Sequence, residues 1–266
     1  MRAQSTFSAG LFWVALVSSH GHVSQVTIDG TSYYGHDPTK VPWGPQPDSI
    51  TWSNGAKDNG FVLSDPVSLA SRDVNCHLNA TNGKLVAQVA AGSDVAVTWS
   101  DWPESHHGPV IDYLADCGAD CTTVDLDELR WFKIHEMAQL EKSTVGGEAG
   151  RWATDLLIDQ NLTWTVTIPA RLKPGNYILR HELLALHPGG AENTTQLYPQ
   201  CINLKVTGGG AVLPMGVPGS QLYSSKNPGF LHNIYIDFWA PDQTYIVPGP
   251  PVSSSLAGCK KTRRQR

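Results

Sequence analysis

Charge is scarce in this sequence of 266 residues. Only 16% of positions are Asp, Glu, Lys or Arg, with 19 Lys+Arg against 24 Asp+Glu for a net charge of −5. A nucleic-acid binder usually presents a basic face, so this balance argues against a nucleic-acid partner. Long apolar runs are missing as well. Residues 11–17 form a short one, below the roughly 20 residues that a bilayer span needs, and no other stretch qualifies. A membrane partner is therefore not expected. No internal repeat and no interior linker divide the chain. No pair of carboxylates stands out as a hydrolytic acid and base would.

What is present is a core former with many rings and turns. Apolar residues make up 41%, alongside nine Trp, eight Tyr and 18 Pro. That composition supports a sizeable core in one domain or two. Cysteine is present in an odd number, five.

Both ends are unlike the body. Residues 1–19 read as a secretory signal: Arg2 is the one early charge, an apolar stretch follows, and Ser19 is a small residue at a cleavage site. The expected mature chain starts at His20 and has 247 residues. Residues 252–266 read as a disordered tail ending in KKTRRQR. Without Arg2 and the five basic residues of that run, 13 basic residues face 24 acidic ones, so the body is near −11.

An oxidising compartment makes disulfides the expected state of the thiols. Cys117 and Cys121 flank a Gly-containing loop and are expected to pair locally. Cys76 and Cys201 would then close a long loop, contributing roughly 4–5 kcal/mol in the chain-entropy model. A competing reading joins Cys117, Cys121 and His106 or His107 in a zinc site. Cys259 remains over. Three glycosylation sequons, at Asn79, Asn161 and Asn193, agree with an extracellular location.

Short alternating runs at 95–99, 164–168 and 202–206 predict half-buried strands. Residues 177–186 are more continuously apolar, as a strand covered on both faces would be. One helical turn is expected near 125–129. The whole predicts an all-β fold, an antiparallel β-sandwich with long loops and few short helices, spanning 20–251. One such loop, 33–48, carries four Pro and Trp43.

Cleavage before His20 would put an α-amine and an imidazole on one residue. The amine has a pKa of about 7.7–8.0, so a metal can displace its remaining proton. Amine and Nδ1 of one histidine can chelate a single ion. A third nitrogen would complete a nearly planar set of three, a geometry that selects Cu(II). His106 and His107, in the loop after the 95–99 strand, are candidates. A further patch holds His181, His187, Gln196 and Tyr198. By strand alternation His181 and His187 share a face, as do Gln196 and Tyr198.

HGHVSQVTIDG, DWPESHHGPVIDYLADC, NYILRHELLALH and QLYPQCINLKVTGGG, in that order, closely resemble the fungal cellulose-active lytic polysaccharide monooxygenases of auxiliary-activity family nine. The resemblance runs from His20 to the Pro-rich end near Pro251. It implies an immunoglobulin/fibronectin-like antiparallel β-sandwich and one copper per chain, held by the amine and Nδ1 of His20 and by Nε2 of His106, with Tyr198 axial and His107 in support. His187 and Gln196 are implied to hydrogen-bond oxygen species, and Cys76–Cys201 and Cys117–Cys121 to be the disulfides. Tyr223 matches a loop tyrosine that docks cellulose, and Tyr34 and Trp43 are further candidates. The implied partners are cellulose or a related β-glucan, O2 or H2O2, and an external electron donor, either a small reductant or cellobiose dehydrogenase. A monomer is expected. Two alternatives stand beside this reading: a glycoside hydrolase drawing on Asp101, Glu104 or Glu182, and a non-catalytic copper- or carbohydrate-binding sandwich.

Overall fold

The computed structural model describes residues 20–256. The expected signal segment 1–19 lies outside them, as do residues 257–266 with Cys259. In chain order the strands are β1 (Val23–Ile28), β2 (Thr31–Tyr34), β3 (Val62–Leu63), β4 (Ala87–Ala90), β5 (Asp94–Trp99), β6 (Val110–Gly118), β7 (Trp131–Met137), β8 (Gln139–Glu141), β9 (Arg151–Trp152), β10 (Thr163–Thr167), β11 (Gly175–Ala185) and β12 (Gln196–Thr207). One sheet runs β10-β5-β1-β2 and is antiparallel throughout. The larger sheet runs β3-β12-β11-β6-β7, with β4 parallel to β12 beside it. β8 and β9 form a separate ribbon.

The alternating runs do what alternation dictates. In β1, Val26 and Ile28 point inward, and in β5 Val95, Val97 and Trp99 do the same. They meet Leu114 of β6, Leu179 and Leu183 of β11 and Ile202 of β12 in the core between the sheets. The fold is the expected β-sandwich. The β1–β2 hairpin turns on Asp29-Gly30, both at positive φ, the two-residue turn that matches strand twist.

β11 is buried from Tyr177 to Ala185. Its second face is covered by a satellite core in which Ile178 and Leu184 meet Leu69 and Val74 from two short helices and Leu222 and Phe230 from the C-terminal loops. The two disulfides, Cys76–Cys201 and Cys117–Cys121, are both formed in this layer. Their thiols are thereby unavailable for zinc.

The few short helices expected are α1 (Pro66–Ala70), α2 (Asp73–Cys76) and α3 (Ala153–Asp159), at positions the sequence pattern did not mark. Asp65 caps α1 by accepting from Val67 N and Ser68 N, and Pro66 opens it. The turn expected at 125–129 is a 3-10 turn, Leu126–Glu128. Packing also runs past the expected boundary at Pro251: Ser253 N donates to Lys133 O, and Leu256 is buried in the main core.

Register places one end of the sandwich at the site. Val23, the start of β1, pairs with Trp99, the end of β5. Ala185, the end of β11, pairs with Gln196, the start of β12. The segments before β1, after β5, after β11 and at the start of β12 therefore converge.

Candidate metal centre

Four segments bring their rings together at that end. The His20 ring centroid lies 5.2 Å from that of His106 at 68°, and 5.7 Å from that of Tyr198. His187 stacks on His106 at 4.1 Å. Phe61 and Trp102 close the sides: Phe61 lies 5.5 Å from His20, and Trp102 is edge-on to both His106 and Tyr198.

The nitrogens are poised as ligands rather than as cations. Burial pushes the His106 imidazole down to about 3, with His187, His20 and His107 adding in that order. Burial also lowers His187, helped by His20 and His107, and lowers His20, opposed by Asp58. His106 Nδ1 meets Ser105 Oγ at 3.2 Å, and Trp102 Nε1 donates to His106 O at 2.9 Å. The ring is thus oriented while its Nε2 stays buried without a hydrogen-bond partner among the described residues. An orphaned, neutral imidazole nitrogen in a native fold calls for an explanation, and a metal ion is one that fits. Among the described residues no group of three or more His, Cys, Asp or Glu could hold a metal ion. A complete ligand set here needs a nitrogen of another kind, such as the main-chain nitrogen of His20.

Tyr198 is fully buried and burial raises its hydroxyl well above the usual range. It donates to Gln196 Oε1 at 2.7 Å, so Gln196 keeps its amide N–H groups to offer. His107 is engaged by Asp155, whose two oxygens lie 2.9 and 3.0 Å from Nδ1. Asp155 also accepts from Trp152 N at the start of α3.

Several expected residues stand elsewhere. His181 does not share a face with His187, because β11 ends at Ala185 before His187 is reached. Instead it is buried in the core, with Nδ1 2.6 Å from Asp112 and Nε2 accepting from Trp99 Nε1. Tyr223 is not a docking residue. It is 7% exposed, and its hydroxyl donates to Glu182 and lies 3.1 Å from that of Tyr113. Glu182 in turn is fully buried against Arg180, which withdraws it from a hydrolase pair. Tyr34 and Trp43 do expose their rings, at 76% and 87%. The sequon residues Asn79, Asn161 and Asn193 are exposed, each at positive φ.

Sequence reasoning missed Asn59, Phe61, Ser105 and Tyr235. Tyr235 lines a cleft of about 540 Å³ with His107, Lys142 and Arg151. No spacing signal pointed to any of these.

Residues 20–245 match Auxiliary Activity family 9 (formerly GH61). The chain belongs to this family. Its relatives carry the name lytic polysaccharide monooxygenase, an oxidoreductase of polysaccharide degradation. The family 9 enzyme H of Thermothelomyces thermophilus is 48% identical over 97% of this chain and 72% of its own length. Enzyme E of Aspergillus tamarii is 47% identical over 91% of this chain and 94% of its own. The extended catalytic domain of LPMO9A from H. jecorina superposes with a TM-score of 0.81 at 45% identity, covering 90% of this chain and 92% of that one. A cellulose-active polysaccharide monooxygenase from M. thermophila gives 0.73 at 32% identity, covering 88% and 99%. Among the described residues of this family 9 chain, no helix is long and apolar enough to cross a membrane.

Proposed function

We propose that the processed chain is a secreted, copper-dependent monooxygenase that cleaves β-1,4-glucan oxidatively at C1, C4 or both. The observation that supports this most is the buried, neutral Nε2 of His106, which has no hydrogen-bond partner among the described residues and lies beside the ring of His20. Loss of residues 1–19 would leave an α-amine on His20. That amine, His20 Nδ1 and His106 Nε2 would then hold one copper ion, since an all-nitrogen tetragonal set suits Cu(II). Copper bound there supplies one-electron chemistry with H2O2 or O2, fed by an external donor.

The chain's own groups do the rest. Tyr198, kept protonated by burial, stands beside the His20 ring and, with Phe61 and Trp102, would limit water around the imidazoles and a copper held there. His187 is neutral and next to His106, and Gln196 has free amide N–H groups. Together they would position the oxygen co-substrate, with the imidazole exchanging a proton with it. Tyr34 and Trp43 offer flat rings to sugar faces. The cellulose-active relative from M. thermophila supports cellulose as the substrate class.

Mass spectrometry of products from cellulose, with copper and ascorbate, tests this reading. Oxidised oligosaccharides formed only when reductant is present support it. Reductant-independent release of ordinary reducing sugars contradicts it.

A further inference from the structure

Once a chain begins at His20, only one peptide bond connects that residue to the fold. Terminal residues are ordered only where something ties them down. One tie on its main chain is Asn59: its Nδ2 donates to His20 O at 3.0 Å, while its Oδ1 lies 2.8 Å from His22 Nδ1. One side chain thus grips the first and third residues of the expected mature chain.

The ring of His20 is held by Phe61 and Tyr198, and further contacts hold the later residues of this segment. Ser100 N donates to His22 O at 2.8 Å, and His22 N donates to Ser100 Oγ at 3.1 Å. Gly21 runs flush against Asp101: a Cβ there would stand 1.9 Å from Asp101 O. Asn59 alone of these residues reaches the carbonyl of His20. Rotation about the Cα–C bond of His20 sets where its nitrogen lies relative to that carbonyl. Holding the carbonyl places one bond of the His20 Cα, and the ring contacts with Phe61 and Tyr198 place the bond to Cβ; with those two set, the chirality of Cα sets the direction of the amine. His106 is held in the same manner, by Trp102 Nε1 on its carbonyl at 2.9 Å.

We propose that Asn59 is the positioning residue of the metal centre. It clamps the carbonyl of His20 so that the amine and Nδ1 present a preformed bidentate site facing His106 Nε2. This rests on the copper reading above. Without the clamp the terminal residue samples other rotations, and copper must order it on binding. Residues that orient metal ligands typically change metal affinity by about 10- to 100-fold when removed.

The test is copper titration of metal-free mature protein by calorimetry, with the Cu(II) electron paramagnetic resonance spectrum as a second readout. Asn59→Ala is expected to bind copper about 10- to 100-fold more weakly. Its spectrum should be shifted or mixed, and the metal-free Tm should stay within about 2 °C of the parent. Ser100→Ala, which loosens His22 but leaves Asn59 on His20, is expected to keep the parent affinity and spectrum. Should Asn59→Ala not fold, Asn59→Ser replaces it, because its shorter hydroxyl cannot span to His20 O. Parent affinity and spectrum in the Asn59 variant overturn the proposal. Equal losses in the Asn59 and Ser100 variants also overturn it, because they assign the effect to general loosening. His106→Ala separates the two levels. If it abolishes tight copper binding while the Asn59 variant binds normally, only the clamp fails; if the parent itself binds no copper, the copper reading fails.

Discussion

The imidazole of His187 lies on that of His106, with ring centroids 4.1 Å apart and planes tilted by 34°. Two stacked imidazoles could not both carry charge in this buried setting, and burial lowers both. The stack thus couples a proposed ligand to a proposed proton carrier. His187→Ala should leave copper affinity within a few-fold of the parent, since His106 keeps its contacts with Ser105 and Trp102. Oxidative cleavage should fall by about 10²–10⁴, the usual span for losing a positioned acid or base. Calorimetry and product quantification check the two halves separately.

Acid should destabilise the metal-free protein through His106. Its folded pKa is about 3, against 6.5 for the free imidazole, so below pH 6.5 the unfolded chain takes up a proton that the folded chain refuses. Stability from this group is complete above pH 6.5 and is lost as pH falls toward 3. Between pH 6.5 and 5, where carboxylates scarcely titrate, the Tm of the parent should fall more steeply than that of His106→Gln. Thermal melts across that window decide it.

Tyr223 and Trp43 should separate stability from substrate binding. Tyr223→Phe removes a hydroxyl buried against Glu182 and Tyr113 and should cost about 1–3 kcal/mol, with cellulose binding unchanged. Trp43→Ala removes a ring that is 87% exposed and should weaken cellulose binding with little change in Tm. Denaturant melts and pull-down on cellulose give both readings.

The Cys76–Cys201 bond spans 125 positions and joins α2 to β12. Replacing both residues by Ser should cost about 2–5 kcal/mol. Loss of Cys117–Cys121, which closes only four positions, should cost less.

The strands were legible because alternation reports burial of one face, as in Val95, Val97 and Trp99. β11 was legible because covering both faces leaves no polar period. Depth within the fold was not legible. Tyr223 and Trp43 are both aromatic residues in Gly/Pro-rich loops, yet one is sealed under Glu182 and Arg180 and the other is open. The end of a strand was not legible either: nothing in HELLALH shows that pairing stops at Ala185 and frees His187 from the alternation that buries His181. The short helices carried caps, Asp65-Pro66 among them, but too few turns to show a helical period. Asn59 lay hidden because its partner His20 is 39 positions away, and a carbonyl acceptor leaves no trace in residue type.

The central claim is that the ligand set includes the main-chain nitrogen of His20. One measurement reaches it directly: copper titration of the chain beginning at His20, beside the same chain carrying one additional Gly before it. The account predicts tight, one-to-one binding for the first and at least a tenfold loss for the second, because the amine moves off the chelate. Equal affinity in both would contradict it.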